Sequence, residues 1–476
     1  MLLIKHSSLY ILARGIPGLI NFMAVALYTR FLSPEEYGRY ILVLAGVGFF
    51  NVVFFQWLKL SLLRFLPANS KDFKPLLSTV LIGFASLVCL TGVVGLLIAW
   101  LWPAAWRNLI LLAVLLLWAQ SWFDLNLELA RGRFHLWRYG LMSMSSSITA
   151  LTLGLLMVLW GLGAYAPIIG LLVGLLLAGI WWGERDEWKE AGLSYSRPLL
   201  RDLLQYGFPL TATFALAFIV SASDRFLIAN FLGERFAGIY AAGYDLAQQS
   251  LTYLMMMVNL AAYPLAVRAL ERQGTKAAQE QVRQSGTLLA VISFPAVVGL
   301  VVLAPNVTGV LLGADFRQEA ATILPWIAVA TLVSGLRAYH FDLAFQLGRH
   351  TVGQVWVVGI AAVVNLVLNL WWIPIYGTLG AAYATLSAYL LALLASIVLG
   401  RRIFLVPIPL WDGLKAALAS LIMGLLIWPS LKYQGLYALA VQVLSGGLIY
   451  LVLLGLFNVG GYRTEVLRRI ALWKNA

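Results

Sequence analysis

Arg14, Lys59 and Arg64 carry the most pointed chemistry in this chain. Arg14 stands near the start of the first long apolar run, and Lys59 and Arg64 stand at the end of the second. In two consecutive membrane helices those places lie near the same face. A guanidinium offers a phosphate two parallel N–H donors, and an ammonium offers it a point charge. The three are thus placed to meet an anionic group arriving from that face. For each a plainer role stays open, because long cationic side chains near helix ends also reach out to lipid headgroups.

A second set of charges lies deeper. At 1.5 Å per residue, Asp224 and Arg225 fall about 10 Å from the far end of the seventh apolar run, and Asp245 about 14 Å into the eighth from the same side. Arg225 and Asp245 can pair there, as a static ion pair or as a gate. Asp224 is turned about 100° from Arg225 and cannot share its face. Gln248 and Gln249 follow within a turn, with amides suited to hydroxyl groups. Arg337 and Asp342 sit in the tenth run, in the part that Asp124 and Glu128 occupy in the fourth. A charge in the bilayer costs several kcal/mol unless it is paired or wetted, so each of these is a gating or coupling candidate. Asp124 and Glu128, four residues apart on one helix face, resemble the acid and base of a hydrolase. No polar catalytic cleft accompanies them, and pairing with Arg131 and Arg138 is the simpler expectation. Gly15 with Pro17, and Gly207 with Pro209, begin the first and seventh runs. Proline removes one helical hydrogen bond and permits bending, which makes these the hinge candidates.

Other chemistry is missing from the sequence. There is no Gly-Lys dipeptide, hence no phosphate-binding loop of the ATPase kind. The one cysteine, Cys89, permits neither an internal disulfide nor a thiolate metal cluster. No catalytic residue, cofactor or metal is expected, and the chain does not read as an enzyme.

The elements that must carry these residues follow from composition. Only 11% of the 476 residues are charged and 62% are hydrophobic, with a mean hydropathy of +0.87. A soluble chain carries about a quarter charged residues, so the solvent for most of this one is lipid. An all-α membrane protein is predicted. Spans are expected near 9–31, 37–63, 76–101, 108–130, 139–160, 164–183, 206–231, 236–266, 286–312, 320–346, 352–374, 379–399, 413–430 and 435–457. The first has no small-residue cleavage site after it and reads as an uncleaved membrane helix.

The net charge of +13 would point a soluble protein toward nucleic acid. Here it has another origin. With the N-terminus in the cytoplasm, 25 of the 33 Lys and Arg fall on the cytoplasmic side and 6 opposite, while Arg225 and Arg337 lie inside spans. That bias is the positive-inside pattern and predicts both termini in the cytoplasm, with no nucleic-acid partner.

Two short phrases recur. "FLSPEEYGRY" (31–40) overlays "FLGERFAGIY" (231–240) at an offset of 200. "LNLELARGRFH" (125–135) overlays "FDLAFQLGRHT" (341–351) at an offset of 216, with Gly132 on Gly348. The growth in offset implies a longer connection between helices 8 and 9. The expected organisation is a six-helix half (1–183), a cytoplasmic linker (184–205), a second six-helix half (206–400), and two further helices with a tail (401–476). Six is even, so both halves run in the same sense, related by an axis along the membrane normal.

"RFLSPEEYGRY" resembles the signature of the polysaccharide transporter family, within the multidrug/oligosaccharidyl-lipid/polysaccharide exporter superfamily. "SDRFLIANFLGERFAGIYAAGYDLAQ" (223–248) resembles its helix 7–8 segment. "VVNLVLNLWWIPIYGTLGAAYATLSAY" (363–389), with Asn365, Asn369, Pro374, Gly377, Gly380 and Ala381, resembles its helix 11–12 segment. The resemblance spans the whole chain. It implies a bacterial inner-membrane flippase of the Wzx type, which moves an undecaprenyl-pyrophosphate-linked oligosaccharide from the cytoplasmic to the periplasmic leaflet for cell-surface polysaccharide assembly. It also implies a cavity lined by helices 1, 2, 7 and 8, a monomer among membrane lipids, and polymerase and chain-length proteins as partners. Lipid II flippases share the fold but not the "LSPEEYG" turn. Cation-coupled small-molecule antiporters of the superfamily usually have twelve helices and also lack it.

Overall fold

The computed structural model describes residues 2–66, 73–190, 195–350, 352–461 and 463; its side chains are described from residue 15 onward, 187 and 190 excepted. Among the described residues there is no strand. The long helices, in order, are α1 (Leu2–Phe31), α2 (Pro34–Phe65), α3 (Lys74–Leu101), α4 (Ala104–Gly132), α5 (Leu136–Leu159), α6 (Tyr165–Trp182) and α7 (Arg197–Leu232). They continue with α8 (Glu234–Gln273), α9 (Thr275–Val302), α10 (Ala314–Leu347), α11 (Val352–Tyr376), α12 (Thr378–Gly400), α13 (Leu410–Lys432) and α14 (Leu436–Phe457). The 13 from α2 to α14 are long and apolar enough to cross a membrane, and they fall on the last thirteen expected spans. The remaining span lies in α1, a helix of 30 residues. Helices such as α3 leave Leu96, Leu97 and Trp100 exposed. A helix apolar on every face is at home in lipid. Exposed Trp100, Trp102, Trp160, Trp181, Trp411 and Trp428 lie near helix ends, where indole rings settle at the membrane–water boundary.

The "LSPEEYG" phrase is a helix start. Ser33 is the N-cap of α2, Pro34 is its first residue, and Glu36 closes the capping box: Ser33 N donates to Glu36 Oε2 (2.9 Å) and Glu36 N to Ser33 Oγ (3.2 Å). Its partner phrase starts α8 differently, after Gly233 at φ +99°.

Two compact units divide at Gly238 and Ile239. In the first, fully buried Phe55, Leu58, Leu62, Leu77, Leu116 and Leu125 form the core between α2, α3 and α4. In the second, α13 packs on α9 and α14 on α13. Tyr450 Oη of α14 donates to Val291 O of α9 (2.8 Å), and Asn306 Nδ2 to Gln442 Oε1 (2.7 Å). The two C-terminal helices are thus docked through polar bonds as well as apolar faces.

Three local features depart from the sequence expectation. First, α7 begins at Arg197, capped by Ser196, so the second half of the expected 184–205 linker includes the opening turns of a helix. The first half holds a short helix, Arg185–Glu190. Second, α8 and α9 are separated by Gly274 alone, at φ +86°. The residues expected in a longer connection are helical extensions. Third, the turns after α4 and α10 match one residue away from the expected register. His135 N donates to Ala130 O and His350 N to Phe345 O, both at 2.8 Å, and Phe134 and Arg349 both hold positive φ. This is one Schellman turn twice, at an offset of 215, which brings Arg133 rather than Gly132 opposite Gly348.

Candidate functional site: paired charges inside each unit and a doubled turn

Each unit interrupts one spanning helix with a π-turn, at Asn51–Phe55 in α2 and at Arg337–Phe341 in α10. Such turns rotate the side chains that follow and recur at functional sites. In the first unit the turn brings Asn51 beside Lys59. Lys59 Nζ donates to Asp124 Oδ2 and to Asn51 Oδ1, each at 2.9 Å, and Asn51 Nδ2 donates to the same Asp124 oxygen (3.1 Å). The Lys59 side chain is only 12% exposed and that of Asp124 26%. The Lys59 ammonium is therefore already committed to a carboxylate on α4.

The other two cations expected at the same face differ. Arg64 is exposed at the end of α2, with no ion pair among the described residues. Arg14 lies in α1, and its side chain is outside the described residues. Glu128 pairs with Arg131 as expected (3.2 Å), but Arg138 pairs instead with Glu184, which also accepts from His135. Glu184 is fully buried. Its N–H and the Trp188 indole N–H both donate to Asn126 Oδ1. The start of the linker is therefore tied under the first unit rather than solvated.

In the second unit Asp342 is fully buried. Ser396 Oγ of α12 donates to it at 2.6 Å, Gln354 Nε2 of α11 at 3.2 Å, and Arg337 Nη1 stands 3.8 Å away. One carboxylate therefore joins three helices. His340, on the same π-turn, is buried against Gly286 of α9, where a Cβ would lie 2.5 Å from its ring. On α11 and α12, Asn369 Nδ2 donates to Asn365 Oδ1 (3.0 Å) and Asn365 Nδ2 to Thr385 Oγ1 (3.4 Å). All three are fully buried, and Asn369 Oδ1 has no hydrogen-bond partner among the described residues. A buried acceptor left open costs about 1–3 kcal/mol, so this is a place for water or a polar ligand atom.

Among the candidates on α7 and α8, Asp224 is fully buried and its Oδ1 accepts from Arg225 N (2.8 Å). Asp245, Gln248 and Gln249 are half-buried on α8, and Gln249 Oε1 has no hydrogen-bond partner among the described residues. Gly207 is a contact residue: a Cβ there would lie 2.6 Å from Trp57 O of α2, beside the Ser61 hydroxyl that donates to Leu203 O. Pro209 and Pro17 each sit inside a helix that runs through them unbroken, and nothing lies within 4 Å of a Cβ built on Gly15.

The doubled phrase has a structural meaning. The starts of α2 and α8 meet at their glycines. A Cβ on Gly38 would lie 2.0 Å from Glu234 O, and one on Gly238 would lie 2.3 Å from Pro34 O. Residues 34 and 234, like 38 and 238, are exact-offset partners at 200, so each contact is the image of the other. Charges reinforce the crossing: Arg39 pairs with Glu234, and Arg235 stands 3.7 Å from Glu35. At this point α2 and α8 close against each other, backbone to backbone.

The polysaccharide biosynthesis protein family matches residues 27–321. The fold is similar to that of the lipid II flippase MurJ in an inward closed conformation: 16% identity, 96% of this chain and 99% of that one, TM-score 0.76. It is also similar to an inward-facing multidrug resistance transporter of the MATE family, in the MOP superfamily: 14% identity, 82% of this chain and 97% of that one, TM-score 0.62. An uncharacterized membrane protein of Methanocaldococcus jannaschii is 22% identical over 195 residues, which are 41% of this chain and 38% of that protein's length. With more than half of its residues inside the family match, this multi-pass α-helical chain belongs to the polysaccharide biosynthesis protein family.

Proposed function

We propose that the protein is a flippase for a lipid-linked oligosaccharide, carrying an undecaprenyl-pyrophosphate-linked repeat unit from the cytoplasmic to the outer leaflet of a bacterial inner membrane. The observation that carries this reading is the pairing of a polysaccharide-biosynthesis family match with a fold shared, nearly end to end, with a lipid II flippase. Transport proceeds by alternating access. Arg14 and Arg64 receive the pyrophosphate at the cytoplasmic face, and Lys59, held by Asp124 and Asn51, positions α2 against α4 rather than binding substrate first. Release on the far side requires the starts of α2 and α8 to part at Gly38 and Gly238. Outward movement of the pyrophosphate charges against a negative-inside potential is downhill by about 2.3 kcal/mol per charge per 100 mV. The Asp342 and Asn369 clusters are the places for any coupling to an ion. Polymerase and chain-length proteins are the expected downstream partners.

A cell lacking the protein should accumulate its lipid-linked oligosaccharide on the cytoplasmic leaflet, read by lipid extraction and leaflet-selective lectin labelling. Arg14→Ala and Arg64→Ala should each weaken transport about tenfold to a hundredfold, the loss of a charge-assisted contact of about 1.5–3 kcal/mol. Lysine should restore only part of it. Unchanged lipid-linked intermediates in the deletion strain would overturn the flippase reading. Wild-type transport by both alanine variants at matched protein level would move the pyrophosphate site elsewhere.

A further inference from the structure

The first unit holds a cavity that the transport reading does not use. It has a volume of about 600 Å³ and lies between α2, α3, α4 and α7, walled by aliphatic and aromatic side chains such as Val47, Phe50, Ile98, Ile110 and Leu117. Exposed Leu101, Trp102, Phe226 and Asn230 also line it, so it opens to the surroundings. Its wall on α3 runs from Thr91 to Trp102 and its wall on α4 from Trp106 to Leu117. At 1.5 Å per residue each is about 16 Å deep, close to half of the ~30 Å hydrocarbon core. The cavity is therefore one leaflet deep.

A charged group stands at one end of its lining. Glu234 lines the cavity, accepts from the Trp106 indole N–H (3.0 Å) and pairs with Arg39. Arg107 follows Trp106 and is exposed. The deep wall is fixed by close packing: a Cβ on Gly95 would lie 2.2 Å from Val114, and the Trp118 indole N–H donates to Thr91 Oγ1 (3.0 Å). At Gly46, which also lines the cavity, a Cβ would meet nothing within 4 Å.

We propose that this cavity binds one acyl chain of a membrane glycerophospholipid, with the phosphate headgroup held at Arg39 and Arg107. A wall about 16 Å long takes one acyl chain of ordinary length, which reaches across one leaflet of a ~30 Å core. The undecaprenyl chain, with eleven isoprene units, is more than twice too long. Neighbouring guanidinium and carboxylate groups at the mouth suit a zwitterionic headgroup, phosphate toward the arginines and ammonium toward Glu234. This site rests on the membrane fold and not on the identity of the transported lipid.

The test uses full-length protein reconstituted in nanodiscs of deuterated phosphatidylethanolamine, returned to detergent and weighed by native mass spectrometry. Wild type should retain one labelled phospholipid per chain. Gly46→Phe, which fills the cavity without a backbone clash, should lower that occupancy at least tenfold. Gly179→Phe on α6, another position with open space and outside this cavity, should match wild type. Should Gly46→Phe fail to give monodisperse protein, Arg107→Gln, at an exposed position, should lower retention several-fold. Equal retention by wild type and the Gly46 or Arg107 variant, or no retained lipid in wild type, would overturn the proposal. So would a polyprenyl lipid displacing phospholipid from protein purified directly from cells.

Discussion

Removing the Asp124 carboxylate leaves the Lys59 ammonium with only the Asn51 amide oxygen, and the reverse change leaves the carboxylate with only the Asn51 N–H. Breaking a fully buried ion pair costs about 3–5 kcal/mol. Here Asp124 keeps a quarter of its side chain exposed, so Asp124→Leu or Lys59→Met alone should cost about 2 kcal/mol. The double variant should recover most of that loss, because no charge is left without a partner. Thermal unfolding of the purified variants reads the difference; equal losses in single and double variants would show that the pair is not coupled. The sequence made these two residues visible as charges in apolar runs but not as partners, since 65 residues separate them and neither position encodes the other. Glu184 shows the converse. It was expected at the start of a cytoplasmic linker, yet it is buried beneath Arg138 and His135, because Asn126 accepts from the Glu184 N–H and the Trp188 indole and ties that stretch back onto α4. Asn365 and Asn369 were legible only as part of a familiar phrase; their mutual bond follows from their four-residue spacing on one helix face.

At the scale of elements, the spans were legible because apolar length is a strong signal that survives without any tertiary information. The π-turns were not, since one extra residue per turn changes neither composition nor length, and the lost register appears only in what Asn51 and His340 touch. Helix ends were displaced where polar residues continue a helix past the lipid, as at Arg197 and Gln273. The crossing of α2 and α8 yields a direct expectation. Gly38→Ala and Gly238→Ala each push a Cβ into a carbonyl oxygen that cannot swing away, and each should cost about 1–3 kcal/mol. Gly46→Ala, eight residues along the same helix, should be near neutral. Yield of monodisperse protein and its unfolding temperature measure both. A reducible bifunctional thiol crosslinker joining Glu35→Cys and Arg235→Cys, spanning the room the long side chains leave, should lock the starts of α2 and α8 together and stop transport until it is reduced.

For the whole molecule, the sequence set out an all-helical membrane protein, and the distribution of Lys and Arg still carries the orientation. Reporter fusions after residue 476 and within 191–194 should report cytoplasm, and one in the turn at 161–163 should report the opposite side; a C-terminal fusion on the outer side would reverse the transport direction assigned to Arg14 and Arg64. What composition could not supply was the partition of the chain into units at Gly238, because that depends on how α7 packs against α2. The meeting of Gly38 with Gly238 is also a self-match. A patch that touches its own copy is what two identical subunits make about a two-fold axis. Here the same contact is written twice in a single chain, and each copy can change alone. Ser33 and Gly233 show the difference: one start has a side-chain cap and its twin a bare backbone, while the two glycines, where a Cβ would meet a carbonyl oxygen, are the same.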